Sequence, residues 1–231
     1  MLESKIIKLT TTPDGFGIQT DELTQDMFAS ALPTQHSHSF FEDEALGLYV
    51  GLWDTTDMVE AAGPYPCEEY MVVLEGAADI KNAQSQNTET VVASESFVIP
   101  QGYNCQWHQN GYLKKFYVIY EDSQMQTENK NHQSIIKIND LQATENRVYY
   151  RNALGNFIVG AALYPLTDFV QQISEYHTFI YLRKGRMLIV SDDGNEHWIN
   201  ATEAVFIPQG TSYQWRAEEP IKQEYVKVRS V

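Results

Sequence analysis

The stretch FVIPQGYNCQW at residues 97–107 recurs as VFIPQGTSYQW at residues 205–215, and this repeat decides the fold. Six of the eleven positions are identical at an offset of 108 residues. In both copies a branched apolar run meets a Pro-x-Gly turn, and a tryptophan follows the turn. The chain of 231 residues is therefore predicted to contain the same structural unit twice.

The repeat extends outward from these turns. Residues 51–76 match residues 160–185 in length, and each stretch begins and ends with glycine. KKFYVIY at 114–120 likewise matches KQEYVKV at 222–228. Short runs of β-branched and aromatic residues recur about every ten residues, separated by Gly, Pro, Asn and Asp, which is typical of an antiparallel sandwich or barrel.

These patterns predict an all-β fold with two domains, residues 1–125 and 126–231. The polar stretch EDSQMQTENKNHQ at 121–133 is predicted to be a linker. The stretch TDELTQDMFASAL at 20–32 is expected to form a short helix or an ordered arm. IIKL at 6–9 also resembles IIKI at 135–138.

Composition excludes several classes of protein. A formal net charge of -15 disfavours binding to nucleic acid and to anionic membrane surfaces. The sequence has no apolar run long enough to span a membrane and no secretory signal. Cys67 and Cys105 are the two cysteines, too few for a secreted disulfide scaffold. We therefore expect a cytoplasmic protein, either a monomer or a homodimer, that binds neither nucleic acid nor a membrane.

The repeated motifs resemble the cupin superfamily of jelly-roll proteins, and the duplication resembles a bicupin, which has two tandem cupin jelly-roll barrels. GLWDTT at 51–56, EEYMVVLEG at 68–76 and SFVIPQG at 96–102 are similar to the branch with ethanolamine-utilisation and ureidoglycine aminohydrolase-like cupins. The resemblance implies a fold whose mouth can hold a small ligand.

Metal-binding cupins carry two histidines one residue apart, then a glutamate, and a third histidine after the Pro-x-Gly turn. The matching positions in the first half are Gly63, Tyr65, Glu69 and Cys105. Those in the second half are Gln172, Ser174, Thr178 and Tyr213. The resemblance thus implies that the usual metal site is missing from the second half and at best remodelled in the first.

Three residues of the first half could form a remodelled site. On a regular strand Cys67 and Glu69 face the same side as Tyr65, and Cys105 would approach from the opposing turn. Cys67, Glu69 and Cys105 could hold zinc or present a reactive thiol. Alternatively, the two cysteines pack as small apolar residues of the core, and no metal is bound.

Glu69 is the first candidate for ligand binding. A buried carboxylate needs a partner, which would be a ligand, a tyrosine hydroxyl or a lysine. Glu69 could bind an amine, or it could act as an acid or base. Trp53, Tyr65, Tyr70 and Trp107 could form aromatic walls around it. The predicted ligand-binding residues are Glu69, Tyr65, Cys105, Trp107, Trp53 and Cys67.

Two further motifs imitate metal ligands. HSHSFFE at 36–42 has the spacing of two histidines and a glutamate, but it precedes the strand on which cupins place their ligands. EYH at 175–177 resembles a Glu-x-His pair, but it is out of register by an odd number of residues, which reverses the face of a strand. Both are expected to be coincidences.

The sequence therefore predicts a cytoplasmic bicupin that binds a small organic metabolite in its first half without the usual metal. The alternative is a metal-dependent hydrolase or isomerase of small nitrogen compounds, similar to ureidoglycine aminohydrolase. In a third hypothesis the second half is purely structural and replaces a dimer partner.

Overall fold

The computed structural model describes residues 5–121, 132–138 and 145–230. Within these residues, one single-turn 3-10 helix, Gln25–Met27, accompanies the strands, and no helix is long and apolar enough to span a membrane. The strands are β1 (Ile7–Leu9), β2 (Gln35–Asp43), β3 (Leu48–Thr55), β4 (Met58–Val59), β5 (Gly63–Pro64), β6 (Glu68–Glu75), β7 (Ala77–Asn82), β8 (Thr88–Val92), β9 (Ser96–Ile99), β10 (Asn104–Gln109), β11 (Leu113–Tyr120), β12 (Ile136–Lys137), β13 (Arg147–Arg151), β14 (Phe157–Tyr164), β15 (Thr167–Ile173), β16 (His177–Lys184), β17 (Arg186–Ser191), β18 (Glu196–Asn200), β19 (Ala204–Ile207), β20 (Ser212–Ala217) and β21 (Ile221–Val228). The predicted all-β fold is confirmed.

The chain folds as two units of the same design. The N-terminal jelly roll comprises residues 11–121 and 132–138, and the C-terminal jelly roll comprises residues 5–10 and 145–230. In the N-terminal jelly roll one sheet has the order β12, β9, β6, β11, β3, β2, and the other has the order β4, β10, β7, β8, with β5 also paired to β10. The C-terminal jelly roll repeats this with β1, β19, β16, β21, β14, β13 and with β15, β20, β17, β18.

The two short edge strands are exchanged between the halves of the sequence. β1 pairs with β19, with Ile7 opposite Phe206, and β12 pairs with β9, with Ile136 opposite Val98. IIKL and IIKI therefore occupy equivalent places, each in the jelly roll formed mainly by the other half. The predicted boundaries, residues 1–125 and 126–231, follow chain order. Strand pairing instead places β1 with the second half of the sequence and β12 with the first. Most of the predicted linker lies outside the described residues.

The stretch at residues 20–32 forms an arm along the smaller sheet of the N-terminal jelly roll. Its 3-10 helix leads to Phe28, which is buried and forms a bridge with Glu60. The Ala61 amide donates a hydrogen bond to the Met27 carbonyl, 2.9 Å away, which fixes the arm beside β4. The arm thereby supplies Met27 and Phe28 to the wall of an interior cavity.

Candidate functional site

A cavity of about 440 Å³ lies within the N-terminal jelly roll. The six residues that the sequence predicts to bind a ligand all line this cavity: Trp53, Tyr65, Cys67, Glu69, Cys105 and Trp107. Tyr70 is buried but is not part of the lining, because neighbouring residues of a strand point to opposite faces. Their role in ligand binding stays a prediction, but the structure brings these six side chains together.

The repeated Pro-x-Gly turn positions the segment that enters β6. The Gly102 amide donates to the Tyr65 carbonyl at 2.8 Å, and the Tyr65 amide donates to the Tyr103 carbonyl at 2.9 Å. The second copy has the same contact, because the Gly210 amide donates to the Ser174 carbonyl at 2.8 Å. The turn therefore holds this segment by backbone bonds, and the side chains on it are free to differ between the copies.

A buried ion pair forms the floor of the cavity. The Lys115 ammonium lies 2.8 Å from Oε1 of Glu69, and the Tyr65 hydroxyl donates to Oε2 of the same carboxylate. Glu69 is 4% exposed and Lys115 is 6% exposed, so water screens this pair poorly. Both oxygens of Glu69 are engaged, so of the three partners expected for this carboxylate, a ligand, a tyrosine hydroxyl or a lysine, the structure shows the last two.

Aromatic rings and a thioether surround the Lys115 ammonium. It lies 4.7 Å from the centroid of the Trp53 ring and 5.1 Å from that of Trp107, and 3.0 Å from Sδ of Met71. The two tryptophans meet edge to face, with centroids 6.5 Å apart. Such ring faces attract a cation, and they keep the lysine in place while excluding water from it.

The residues of the predicted remodelled metal site do not fit a metal ion. Glu69 already binds an ammonium and a hydroxyl, so a cation at that carboxylate would face the Lys115 charge. Burial, together with Glu69, raises the pKa of the Cys67 thiol well above its usual range, and burial raises that of Cys105 to about 12. A metal ion would have to displace a proton from each of these thiols, and the raised pKa values make that displacement more costly.

The geometry of the described residues agrees with this conclusion. Among them, no group of three His, Cys, Asp or Glu side chains lies close enough together to hold a metal ion. The absence of a bound metal stays a prediction about the protein in solution.

Glu60 is a cavity residue that the sequence did not single out. Its backbone is fixed at β10, because its amide donates to the Trp107 carbonyl at 3.0 Å and its carbonyl accepts a bond from the Gln106 side chain at 2.8 Å. Its carboxylate lines the cavity, and within the described residues it has no hydrogen-bond or ion-pair partner. Burial raises the pKa of the Glu60 carboxyl to about 7; Lys115 opposes the rise and Glu69 adds to it.

Replacing Glu60 by glutamine should therefore stabilise the unliganded protein above neutral pH. The folded carboxyl has a raised pKa, so the folded state binds more protons than the unfolded state between about pH 4.5 and 7, and stability falls as pH rises through this window. At about pH 8 we expect Glu60→Gln to raise the free energy of unfolding by on the order of 2 kcal/mol, with little change at about pH 5.

Urea denaturation at both pH values measures this effect. Glu42→Gln is the matched control, because Glu42 is exposed on the edge strand β2, and its stability should equal that of the wild type at both pH values. Equal stabilities of Glu60→Gln and wild type at pH 8 would show that folding does not raise the pKa of the Glu60 carboxyl.

The histidine motif of β2 does not contribute to the cavity. Gln35 and Ser37 line it, so His36 and His38 point to the opposite face of the sheet. There Nδ1 of His36 lies 2.7 Å from Oδ1 of Asp54. HSHSFFE therefore matches a ligand spacing only in sequence.

The EYH motif of the second copy is also separate from the cavities. Glu175 is exposed, and Nδ1 of His177 accepts a hydrogen bond from the Gln209 amide at 3.3 Å, on a ring stacked against Phe206. This position agrees with the register argument.

Solved structures with a similar fold include one of a protein with unknown function from the DUF861 family of Pseudomonas syringae pv. tomato str. DC3000, with a TM-score of 0.76 and 16% identity over 97% of this chain and 99% of that chain. The structure of YlbA from E. coli, also of the DUF861 family, has a TM-score of 0.64 and 12% sequence identity, and the match covers 99% of this chain and 93% of YlbA. A Cupin 2 conserved barrel domain protein from Leptotrichia buccalis has a TM-score of 0.62 and 14% sequence identity, and the match covers 88% of this chain and 100% of that chain. The fold is that of the cupins.

The cupin fold does not by itself assign an activity, since these structures share too little sequence with the chain. In sequence, no protein-family model matches the chain, and neither does any curated protein. The four positions that were compared with cupin metal ligands, Gly63, Tyr65, Glu69 and Cys105, all line the N-terminal cavity.

Two charged groups of this cavity, Lys115 and Glu60, are not predicted by the sequence. Lys115 lies in KKFYVIY, where alternation puts one of two adjacent lysines inside, and its partner residues on β6 and β3 follow only from strand pairing. Glu60 lies within the repeated stretch 51–76 but is not itself a matched residue, because its counterpart at the repeat offset is Phe169. No sequence signal marked it.

Proposed function

We propose that the N-terminal jelly roll binds a small organic molecule with a basic amino group, without a metal ion. The observation that carries this proposal is the Glu60 carboxylate, which lines the cavity of the N-terminal jelly roll and has no partner among the described residues. A charge in such a place is costly unless a partner neutralises it, and a ligand ammonium would do so.

The charges around the cavity favour a cation. Among its described lining residues, Glu60, Glu69 and Glu121 are acidic and Lys115 is basic. Because Lys115 and Glu69 neutralise each other, the remaining charge is negative. This arrangement supports an amine over a carboxylic acid, since an anion would meet Glu60 and Glu121 without compensation.

The other lining residues suit the carbon part of such a ligand. Trp53, Trp107 and Tyr117 provide apolar ring surface, and the ion pair keeps the floor of the cavity rigid. We assign the recognition of charge to Glu60 rather than to Glu69, because both oxygens of Glu69 are already engaged.

Titration calorimetry with n-butylamine and n-butanol at about pH 8 tests this function. The two probes share an alkyl chain and differ in charge, so we expect the amine to bind at least about tenfold more tightly. Glu60→Gln should remove this preference, whereas Glu42→Gln should keep it. Equal affinity for both probes, or an unchanged preference in Glu60→Gln, would contradict the proposal.

The remaining predictions from sequence stay open. The ureidoglycine aminohydrolase-like branch, a cytoplasmic location and a monomeric or homodimeric state are part of our proposal and rest on sequence patterns. A metal-dependent hydrolase or isomerase would require about one metal ion per chain in elemental analysis of the untagged protein, lost in the double variant Glu69→Gln, Cys105→Ala.

A further inference from the structure

We propose a second binding site in the C-terminal jelly roll, for a small, planar and uncharged molecule that carries a carboxamide. The site is a cavity of about 260 Å³. Gln172, Thr178 and Tyr213, three of the four positions compared with cupin metal ligands, line it. The proposal does not depend on amine binding in the other cavity.

The repeat exchanges the charged groups of the first cavity for neutral ones. Gln223 on β21 lies opposite Leu182, as Lys115 on β11 lies opposite Val73. At the repeat offset, Thr178 replaces Glu69 and Phe169 replaces Glu60. The second cavity therefore keeps the architecture of the first but has no ion pair at its floor.

Gln223 provides the decisive polar group. Gln223 is 8% exposed and lines the cavity, and its side chain makes no hydrogen bond with the described residues. The Gln223 amide atoms are not among the fully enclosed polar atoms that lack a partner, so they face the open space of the cavity, where a bound ligand can pair with them. A ligand carboxamide offers one acceptor and one donor, and it can therefore pair with both ends of this side chain.

Tyrosine hydroxyls extend the same pattern. Tyr164, Tyr213 and Tyr225 also line the cavity, and none of their hydroxyls forms a hydrogen bond with the described part of the chain. Burial raises the pKa of Tyr213 to about 12, so its hydroxyl stays protonated and can donate. Several neutral donors that converge on one cavity match the carbonyl oxygen of an amide.

The walls favour a flat molecule. Tyr164 and Trp215 meet edge to face with centroids 5.1 Å apart, and Ala162 stands where the first copy has the large ring of Trp53. This gives ring surface together with space for a ligand ring. Of the described lining residues, Lys227 alone is charged, and its ammonium lies 5.0 Å from the Tyr225 ring centroid.

Benzamide, benzoate and benzylamine test the proposal, because they have the same ring and differ in charge. Binding is measured in full-length Glu60→Gln, in which the other cavity should lack its amine preference, from the indole N–H signal of Trp215 in NMR spectra, assigned with Trp215→Phe. We expect benzamide to bind at millimolar concentration and both charged probes to bind at least roughly tenfold more weakly.

Two variants locate the contact. Gln223→Leu should weaken benzamide binding roughly tenfold, and Tyr213→Phe, which removes only a hydroxyl, should weaken it severalfold with the fold unchanged. No shift of the Trp215 signal with benzamide would overturn the proposal. Stronger binding of benzoate, which would assign the site to Lys227, or full binding by both variants would also overturn it. Failure of amine binding at Glu60 leaves each of these outcomes measurable.

Discussion

Replacing Lys115 by methionine is expected to lower the free energy of unfolding by about 3–5 kcal/mol. The variant removes the ammonium that lies 2.8 Å from Glu69 and leaves a carboxylate that is 4% exposed without its counter-charge. The methionine has nearly the volume of the lysine stem and can pack between the rings of Trp53 and Trp107. The loss of stability would therefore come from the unpaired charge of Glu69 and not from a void left by the smaller volume of the new side chain.

A double-mutant cycle separates these causes. Adding Glu69→Gln to Lys115→Met removes the remaining charge and keeps an acceptor for Tyr65, so most of the lost stability should return. Lys137→Met is the control, because the ion pair of Lys137 with Glu95 is partly exposed and should contribute less than about 1 kcal/mol. A loss below this control value in Lys115→Met, measured by urea denaturation, would contradict a structural role for the pair.

Replacing Gly51 by alanine should destabilise the protein by about 3 kcal/mol or more. Gly51 on β3 lies opposite Tyr117 on β11, and the tyrosine ring covers it. A Cβ atom at this position would overlap the hydroxyl and Cζ of Tyr117 and would lie 2.6 Å from the His38 carbonyl oxygen. The Tyr117 ring, which lines the cavity, and the backbone of β2 at His38 would therefore both have to move.

The second copy offers a replicate of this experiment. Gly160 lies under Tyr225 in the same way, and a Cβ there would lie 2.6 Å from the Arg147 carbonyl oxygen. Gly160→Ala should therefore lower the free energy of unfolding by a similar amount. Gly63→Ala should be nearly neutral, because no atom lies within 4 Å of a Cβ at that position. Thermal or urea unfolding of the three variants decides the matter, and three equal stabilities would refute the packing argument.

The repeat was sufficient to predict the fold because the repeated residues are those that form the backbone turns of both copies. The Pro-x-Gly turns and the matched glycines Gly51 and Gly160 recur since each satisfies the same backbone or packing requirement in both copies. The edge strands show the limit of this reasoning. IIKL and IIKI resemble each other, but an edge strand of three residues can add to either sheet, and only the observed pairing assigns β1 to β19.

The site was predictable where one strand determines it and hidden where several meet. Alternation along a single segment placed Tyr65, Cys67 and Glu69 on one face. Lys115 reaches Glu69 across a strand pair, and Glu60 reaches the cavity from beside β4. Such neighbours depend on register between distant segments, which a repeat in one chain does not specify.

The most direct test of amine binding is the pH dependence of n-butylamine affinity, measured by titration calorimetry at about pH 5.5, 6.5 and 8. An ammonium binds the ionised form of Glu60, whose pKa in the empty cavity is about 7, so binding below that pH requires release of a proton. We predict that affinity rises roughly tenfold per pH unit up to about pH 7, levels off above it, and is weak and independent of pH in Glu60→Gln. Wild-type affinity that does not change with pH, or a variant with the same pH profile, would contradict the account.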